Sequence, residues 1–266
     1  MKRILILACL LLCASAATTY AQEAISDNSF LVEEAYNQEA GVVQHINTFQ
    51  RMRGGDWAYT FTQEWPFLSE RHQLSYTIPG LGFGAGEKGF GDVALNYRYQ
   101  LVANKRFGVS PRLSLLLPTG SVSKGMGTGG AGLQFNLPVS IVHSKRFVTH
   151  WNAGTTFTFR AKDDQGNHAT TTGYNLGQSV VWLAQTRFNV LFETAWSSSE
   201  SVTGPQSKTR SNNLFINPGV RWSYNFRSGL QIVPGVAVPI GIGPSNGQRG
   251  FFFYLSFEHP FKKERG

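Results

Sequence analysis

The sequence predicts an all-β fold: a transmembrane up-and-down antiparallel β-barrel of about twelve strands. Three observations carry this expectation. Apolar and polar residues alternate through successive segments from residue 41 onward, the period of a strand with two unlike faces. The connections between those segments switch regularly between tight turns and long polar stretches. Only 15% of the 266 residues are charged, against about 25% in soluble domains, so something other than charge covers much of the surface. A mean hydropathy of -0.18 excludes a bundle of membrane helices, and 13% aromatic residues exclude a disordered chain.

Residues 1–21 read as a signal peptide: Lys2 and Arg3 precede the apolar run 4–12, and Ala21 before Gln22 suits cleavage. The run is too short for a spanning helix, which needs about twenty residues. Both cysteines, Cys9 and Cys13, fall inside this stretch, so no disulfide or thiolate chemistry is expected after its removal. Removal also leaves 22 Lys and Arg against 16 Asp and Glu, a net charge of +6. No lysine-rich stripe gathers that charge, and an exported chain has no nucleic acid to meet. Residues 22–40 precede the first strand and could fold inward as a partial plug or form a periplasmic segment below the barrel.

The barrel is expected over residues 41–261. Weak alternation at 42–49 is followed by clear alternation at 57–67 and 72–78. The clearest run is 92–101, where Val93, Leu95, Tyr97, Tyr99 and Leu101 oppose Asp92, Asn96, Arg98 and Gln100. Further strands follow at 113–117, 133–141, 147–159, 174–183, 188–196, 214–226, 230–240 and 251–261. Most approach the roughly 9–11 residues that a tilted strand needs to cross a bilayer. Long glycine-rich connections are expected at 80–91, 120–130, 162–173, 197–213 and 243–250. Tight turns centre on Asn104-Lys105-Arg106, Ser144-Lys145-Arg146, Gln185-Thr186 and Arg227-Ser228. With the first strand rising from the periplasm, the tight turns fall on alternate connections, the rhythm of an outer-membrane barrel. A soluble sandwich has no reason to keep it. Prolines 111, 138, 218, 234 and 239 lie inside these strands and predict bulges.

The six tryptophans, Trp57, Trp65, Trp151, Trp182, Trp196 and Trp222, fall on the apolar face, which is assigned to lipid. The opposite face carries Arg98, Arg112, Arg160, Glu193 and Arg221 and is assigned to a wet lumen. The last strand, from Phe251-Phe252-Phe253-Tyr254 to Phe261, resembles the C-terminal assembly signal of outer-membrane barrels. It implies the barrel assembly machinery as a partner, with 262–266 left as a C-terminal tail. The stretch Phe30-Leu31-Val32-Glu33-Glu34-Ala35-Tyr36-Asn37-Gln38-Glu39, followed by Gly41-Val42-Val43-Gln44-His45, resembles the opening of a family of outer-membrane transporters. That family is grouped with proteins linked to the meta-cleavage pathway of phenol degradation. The resemblance implies an outer-membrane barrel and uptake of small hydrophobic or aromatic compounds, and it assigns no residue a role.

Catalytic and metal-binding patterns are sparse. The six histidines form no HExxH pair, and the glycine runs open no helix that could hold a phosphate. Neighbouring His143 and Ser144 point to opposite faces of a strand. Asp163, Asp164 and His168 share one outer connection and are the acid and base candidates of an alternative reading, an outer-membrane enzyme acting on lipid or peptide at the rim. A solvated turn explains the same residues.

The lumen carries the stronger signal. Pairing Ala103 with Phe107 across the turn sets Arg98 opposite Arg112, and like charges across a ladder are destabilising. Glu64 or Glu193 is the expected internal partner. Arg98, Arg112 and Arg221, with Arg160, Glu64 and Glu193, are therefore the candidate lumen and substrate-path residues. They would bias a narrow pore toward anionic or polarisable aromatic solutes, or form a structural network that fills a closed lumen. The expectation is an outer-membrane channel for passive or facilitated uptake of small solutes. Its partners would be membrane lipids and those solutes, with no cofactor, metal or nucleic acid.

Overall fold

The structure, a computed structural model, describes residues 25, 27–84 and 86–261. The expected signal peptide with its two cysteines and the expected tail at 262–266 lie outside these residues. Twelve antiparallel strands run in chain order. They are β1 (Val42–Met52), β2 (Trp57–Phe67), β3 (Ser69–Gly82) and β4, made of Lys88–Phe90, Val93–Tyr99 and Val102–Ala103. Next come β5 (Phe107–Val109 and Arg112–Leu117), β6 (Gly132–Val142), β7 (Phe147–Lys162), β8 (His168–Gln185) and β9 (Phe188–Gly204). The last are β10 (Ser207–Trp222 and Tyr224–Asn225), β11 (Gln231–Ala237 and Ile240–Gly241) and β12 (Gly250–Pro260). Each strand pairs with its sequence neighbours, and β1 pairs with β12 from Val42↔Pro260 to Met52↔Gly250, so the sheet closes on itself. Closure leaves no strand edge unpaired.

Burial is inverted relative to a soluble protein. Leu95, Leu113, Phe135, Trp151, Trp182 and Phe192 are exposed on the outer wall, whereas Asn96, Ser114, Asn136, Ser140 and Asn217 are buried inside. An apolar exterior around a polar interior is stable only where lipid replaces water.

The inner connections are all tight: Leu68 alone, then 104–106, 143–146, 186–187 and 226–230. The outer ones include the long connections expected near 120–130 and 243–250 but correct those expected at 162–173 and 197–213. Residues 168–173 and 197–204, with 207–213, belong to β8, β9 and β10, which run on past the apolar band as paired Ser- and Thr-rich strands closed by the short turns 163–167 and 205–206. These extensions have no apolar face, so they carry no alternation to read. The longest outer connection is 118–131, with a short 3-10 turn at Val122–Lys124.

The prolines also act differently from the expected bulges. Pro111 and Pro239 sit in breaks of β5 and β11, and Pro138, Pro218 and Pro234 stay in regular register with one neighbour. The missing donors face interruptions in the strand on the other side, where Ser110 N–H reaches the Pro138 carbonyl at 3.1 Å and Val238 N–H reaches that of Pro218 at 3.0 Å. Register shifts occur elsewhere, one of them between Thr158 and Ala161.

Candidate functional site: a lumen threaded by the N-terminal segment

Residues 27–40 lie inside the barrel and make one circuit of its wall. The segment is extended and has no strand partner, so its backbone groups must be satisfied by side chains. Alternate amides turn to the wall: Leu31 N–H donates to Glu193 at 2.9 Å, Glu33 N–H to Asn152 at 2.8 Å, Ala35 N–H to Ser140 at 2.8 Å and Asn37 N–H to Gln100 at 2.8 Å. Nearer β1, the Gln38 and Ala40 amides donate to Gln73 and Glu70 of β3. Two wall amides complete the pattern by returning a donor. Asn152 Nδ2 donates to the Glu33 carbonyl at 2.9 Å, and Gln100 Nε2 to the Ala35 carbonyl at 2.7 Å.

Two arginines bind four further carbonyls. Arg98, 3% exposed, donates to the carbonyls of Glu34 and Tyr36 and to Asn37 Oδ1 at 3.3, 2.7 and 2.9 Å. Arg221, 2% exposed, donates to the carbonyls of Asp27 and Asn28. Asp27 then closes the circuit by accepting from Tyr254 Oη of β12 and Gln44 Nε2 of β1, both at 2.7 Å. Apolar anchors reinforce it. Phe30 packs 5.6 Å from Phe252 and 5.5 Å from Tyr254, ring centre to ring centre. It rests on the bare backbones of Gly219 and Gly235, where an added Cβ would come within 2.5 Å of the ring.

Arg98 and Arg112 are direct ladder partners, and their repulsion is relieved in two ways. Glu64 lies 4.0 Å from Arg98. Arg112 grips Glu33 of the segment through two contacts, at 2.7 Å from Nη2 and 3.0 Å from Nε. Sequence reasoning missed Glu33. Glu193 does not serve these arginines; it holds the Leu31 amide and accepts from Asn217 at 2.8 Å. Arg160 stands apart, which corrects its placement with the lumen residues. It occupies the bulge of β7 with φ of 52°, exposed, while Thr158 and Ala161 on either side are buried. The extra residue breaks the alternation from which its face was inferred.

On the outer side of the segment the lumen widens into a vestibule. Three adjoining cavities of ≈ 280, 380 and 330 Å³ share Leu31 as part of their lining. Their walls are hydroxyl and amide side chains, with Thr48 against Thr60 at 2.6 Å and Thr62 against Thr77 at 2.9 Å. Arg112 and Glu33 border two of the cavities and Phe215 the third. Of the outer-rim candidates, Asp163 spends its carboxylate on its own turn, accepting from the amides of Gln165 and Asn167 and from Asn167 Nδ2.

A closed twelve-stranded barrel with an apolar exterior and a polar lumen defines a transmembrane β-barrel of the outer-membrane kind. The chain belongs to the family described as "Putative MetA-pathway of phenol degradation", whose model matches residues 22–257. Its fold is similar to that of the COG4313 outer membrane channel from Pseudomonas putida F1, with a TM-score of 0.59 at 10% identity over 85% of this chain and 97% of that one. It is also similar to NanC porin, with a TM-score of 0.54 at 8% identity over 81% and 98% of the two chains. A third likeness is to KdgM porin in complex with disordered oligogalacturonate, at 0.51 and 12% identity over 82% and 99%. No curated protein sequence matches the chain.

Proposed function

We propose that this protein is an outer-membrane channel for small solutes, that its vestibule favours anionic aromatic compounds, and that residues 27–40 form a collar controlling passage. The collar carries the reading: a circuit held almost wholly by wall side chains can be released without breaking any strand pairing. The vestibule supplies the selectivity. Arg112 offers a cation there, Phe215 and Leu31 offer apolar surface, and the threonine ladders keep the rest wet. Family membership and the phenol pathway in its description support aromatic compounds as the solute class. With the collar seated, Arg98 and Arg221 face its carbonyls, so of the three paired lumen arginines Arg112 is the one that meets an entering anion.

Liposome swelling with benzoate, a neutral sugar of similar size and a cationic amine tests the reading. Benzoate is expected to enter fastest, with its advantage reduced about tenfold in Arg112→Ala, the lower end of electrostatic focusing in a cleft. Deleting residues 25–40 is expected to raise conductance for all three. Equal rates for the three solutes in the wild type would sink the selectivity, and an unchanged conductance after deletion would sink the collar.

A further inference from the structure

The outer wall carries a groove that the lumen reading does not use. Near the outer ends of β1 to β4, the lipid-facing residues Phe49, Tyr59, Gly80 and Phe90 are register partners in one row. The next row outward is Arg51, Trp57, Gly82 and Lys88. Gly80, bare of a side chain on β3, leaves a trench of ≈ 440 Å³ between Phe49, Trp57, Tyr59, Lys88 and Phe90. Its walls are fixed. Trp57 lies over the bare backbone of Gly82, where a Cβ would fall 2.1 Å from the indole nitrogen, and it stacks 6.2 Å from Phe49. Tyr59 is held by its hydroxyl donating to Asn47 at 2.7 Å. Phe90 is 71% exposed on the far bank.

We infer that this trench binds a phosphorylated outer-leaflet glycolipid, with one acyl chain along Gly80 and its phosphates on Arg51 and Lys88. The trench is almost wholly apolar and faces the bilayer, so a hydrocarbon chain is its natural occupant. The two cations lie one alternation step, about 7 Å, closer to the cell exterior, where a head group begins. Three strand spacings separate Arg51 from Lys88, about 14 Å, so they would take two phosphates at opposite ends of one head group. A zwitterionic lipid with a single phosphate uses only half of this arrangement. The inference is independent of whether the lumen conducts.

Native mass spectrometry of the delipidated full chain, titrated with diphosphoryl lipid A or phosphatidylethanolamine, tests the site. The wild type is expected to retain one lipid A through detergent exchange and to shed phosphatidylethanolamine. The double variant Arg51→Ala with Lys88→Ala is expected to lose about thirtyfold in retention, from two surface cations removed. Gly80→Leu fills the trench and should weaken lipid A as well. An added Cβ there meets Trp57 only at 3.7 Å, so the fold is kept, as heat-modifiable gel mobility would verify. Equal retention by wild type and both variants, or equal retention of the two lipids, would overturn the site and leave only annular lipid.

Discussion

Arg98 and Arg112 are ladder partners with different tasks. Arg98 is enclosed and satisfies two backbone carbonyls of the collar, whereas Arg112 pairs with Glu33 at the edge of the vestibule. Removing a donor from buried carbonyls costs about 1–3 kcal/mol per orphaned group, and removing one from a hydrated site costs less. Arg98→Ala is therefore expected to destabilise the folded barrel by about 2–6 kcal/mol in urea unfolding from lipid bilayers, through two lost carbonyl partners. Arg112→Ala should cost less than Arg98→Ala, under about 2 kcal/mol, since its acceptors Glu33, Asn96 and Gln134 line the vestibule and can be rehydrated. The reverse order would show that the collar is not what Arg98 holds. At the outer rim, the Asn167 side-chain hydrogen bond, with the turn amides, holds the Asp163 carboxyl below its ordinary value of 3.8. A depressed carboxylate supports its turn fully above the ordinary value and loses that support as pH falls through the lower folded value. Carbon-detected NMR titration of Asp163 should thus show a midpoint below 3.8, moving up in Asn167→Ala.

At the scale of elements, the collar and its wall are complementary. Phe30 requires glycine at 219 and 235, and a methyl group at either would strike the ring. Phe30→Ala removes a buried aromatic, a change worth about 3–5 kcal/mol in a packed core, and should expose residues 27–40 to added protease while the strands stay resistant. Gly235→Ala should expose them in part. Adding it to Phe30→Ala should change nothing further, because both act on one contact. Additive effects would place Gly235 in a different role. The extended strands of β8 to β10 are a second element-level feature. Glu200 joins Lys208 at 2.8 Å and Arg210 at 3.0 Å above the apolar band, so these hairpins rest on polar cross-strand pairs where there is no lipid to cover an apolar face.

For the whole molecule, the strand count, the antiparallel closure and the inside-out burial follow from alternation and turn rhythm, and these were legible. The Arg98 and Arg112 opposition was legible in outcome but not in route: the turn pairs Ala103 with Gly108 rather than the expected Phe107, and a one-residue register shift between Val102↔Val109 and Arg98↔Arg112 restores the opposition. Arg160 was not, because a single bulge residue shifts every inference beyond it. The outer hairpins were hidden since strands exposed to water on both faces have no periodicity. Glu33 and Asp27 were readable only as acids in a segment of undecided location. Their one available signal was charge: an acidic, amide-rich stretch preceding a barrel whose predicted lumen carried arginines.

The sequence by itself determined a membrane barrel of twelve strands, with aromatic residues toward lipid and arginines inward, because side-chain period and turn length are local properties. Only the tertiary structure decided that residues 27–40 enter the lumen and circle it. That choice depends on whether wall groups from ten of the twelve strands, from Gln44 on β1 to Tyr254 on β12, can together hold a segment with no ladder of its own. No stretch of sequence holds that information, since the partners of one short segment are spread along the chain from Gln44 to Tyr254 and meet only when the sheet closes.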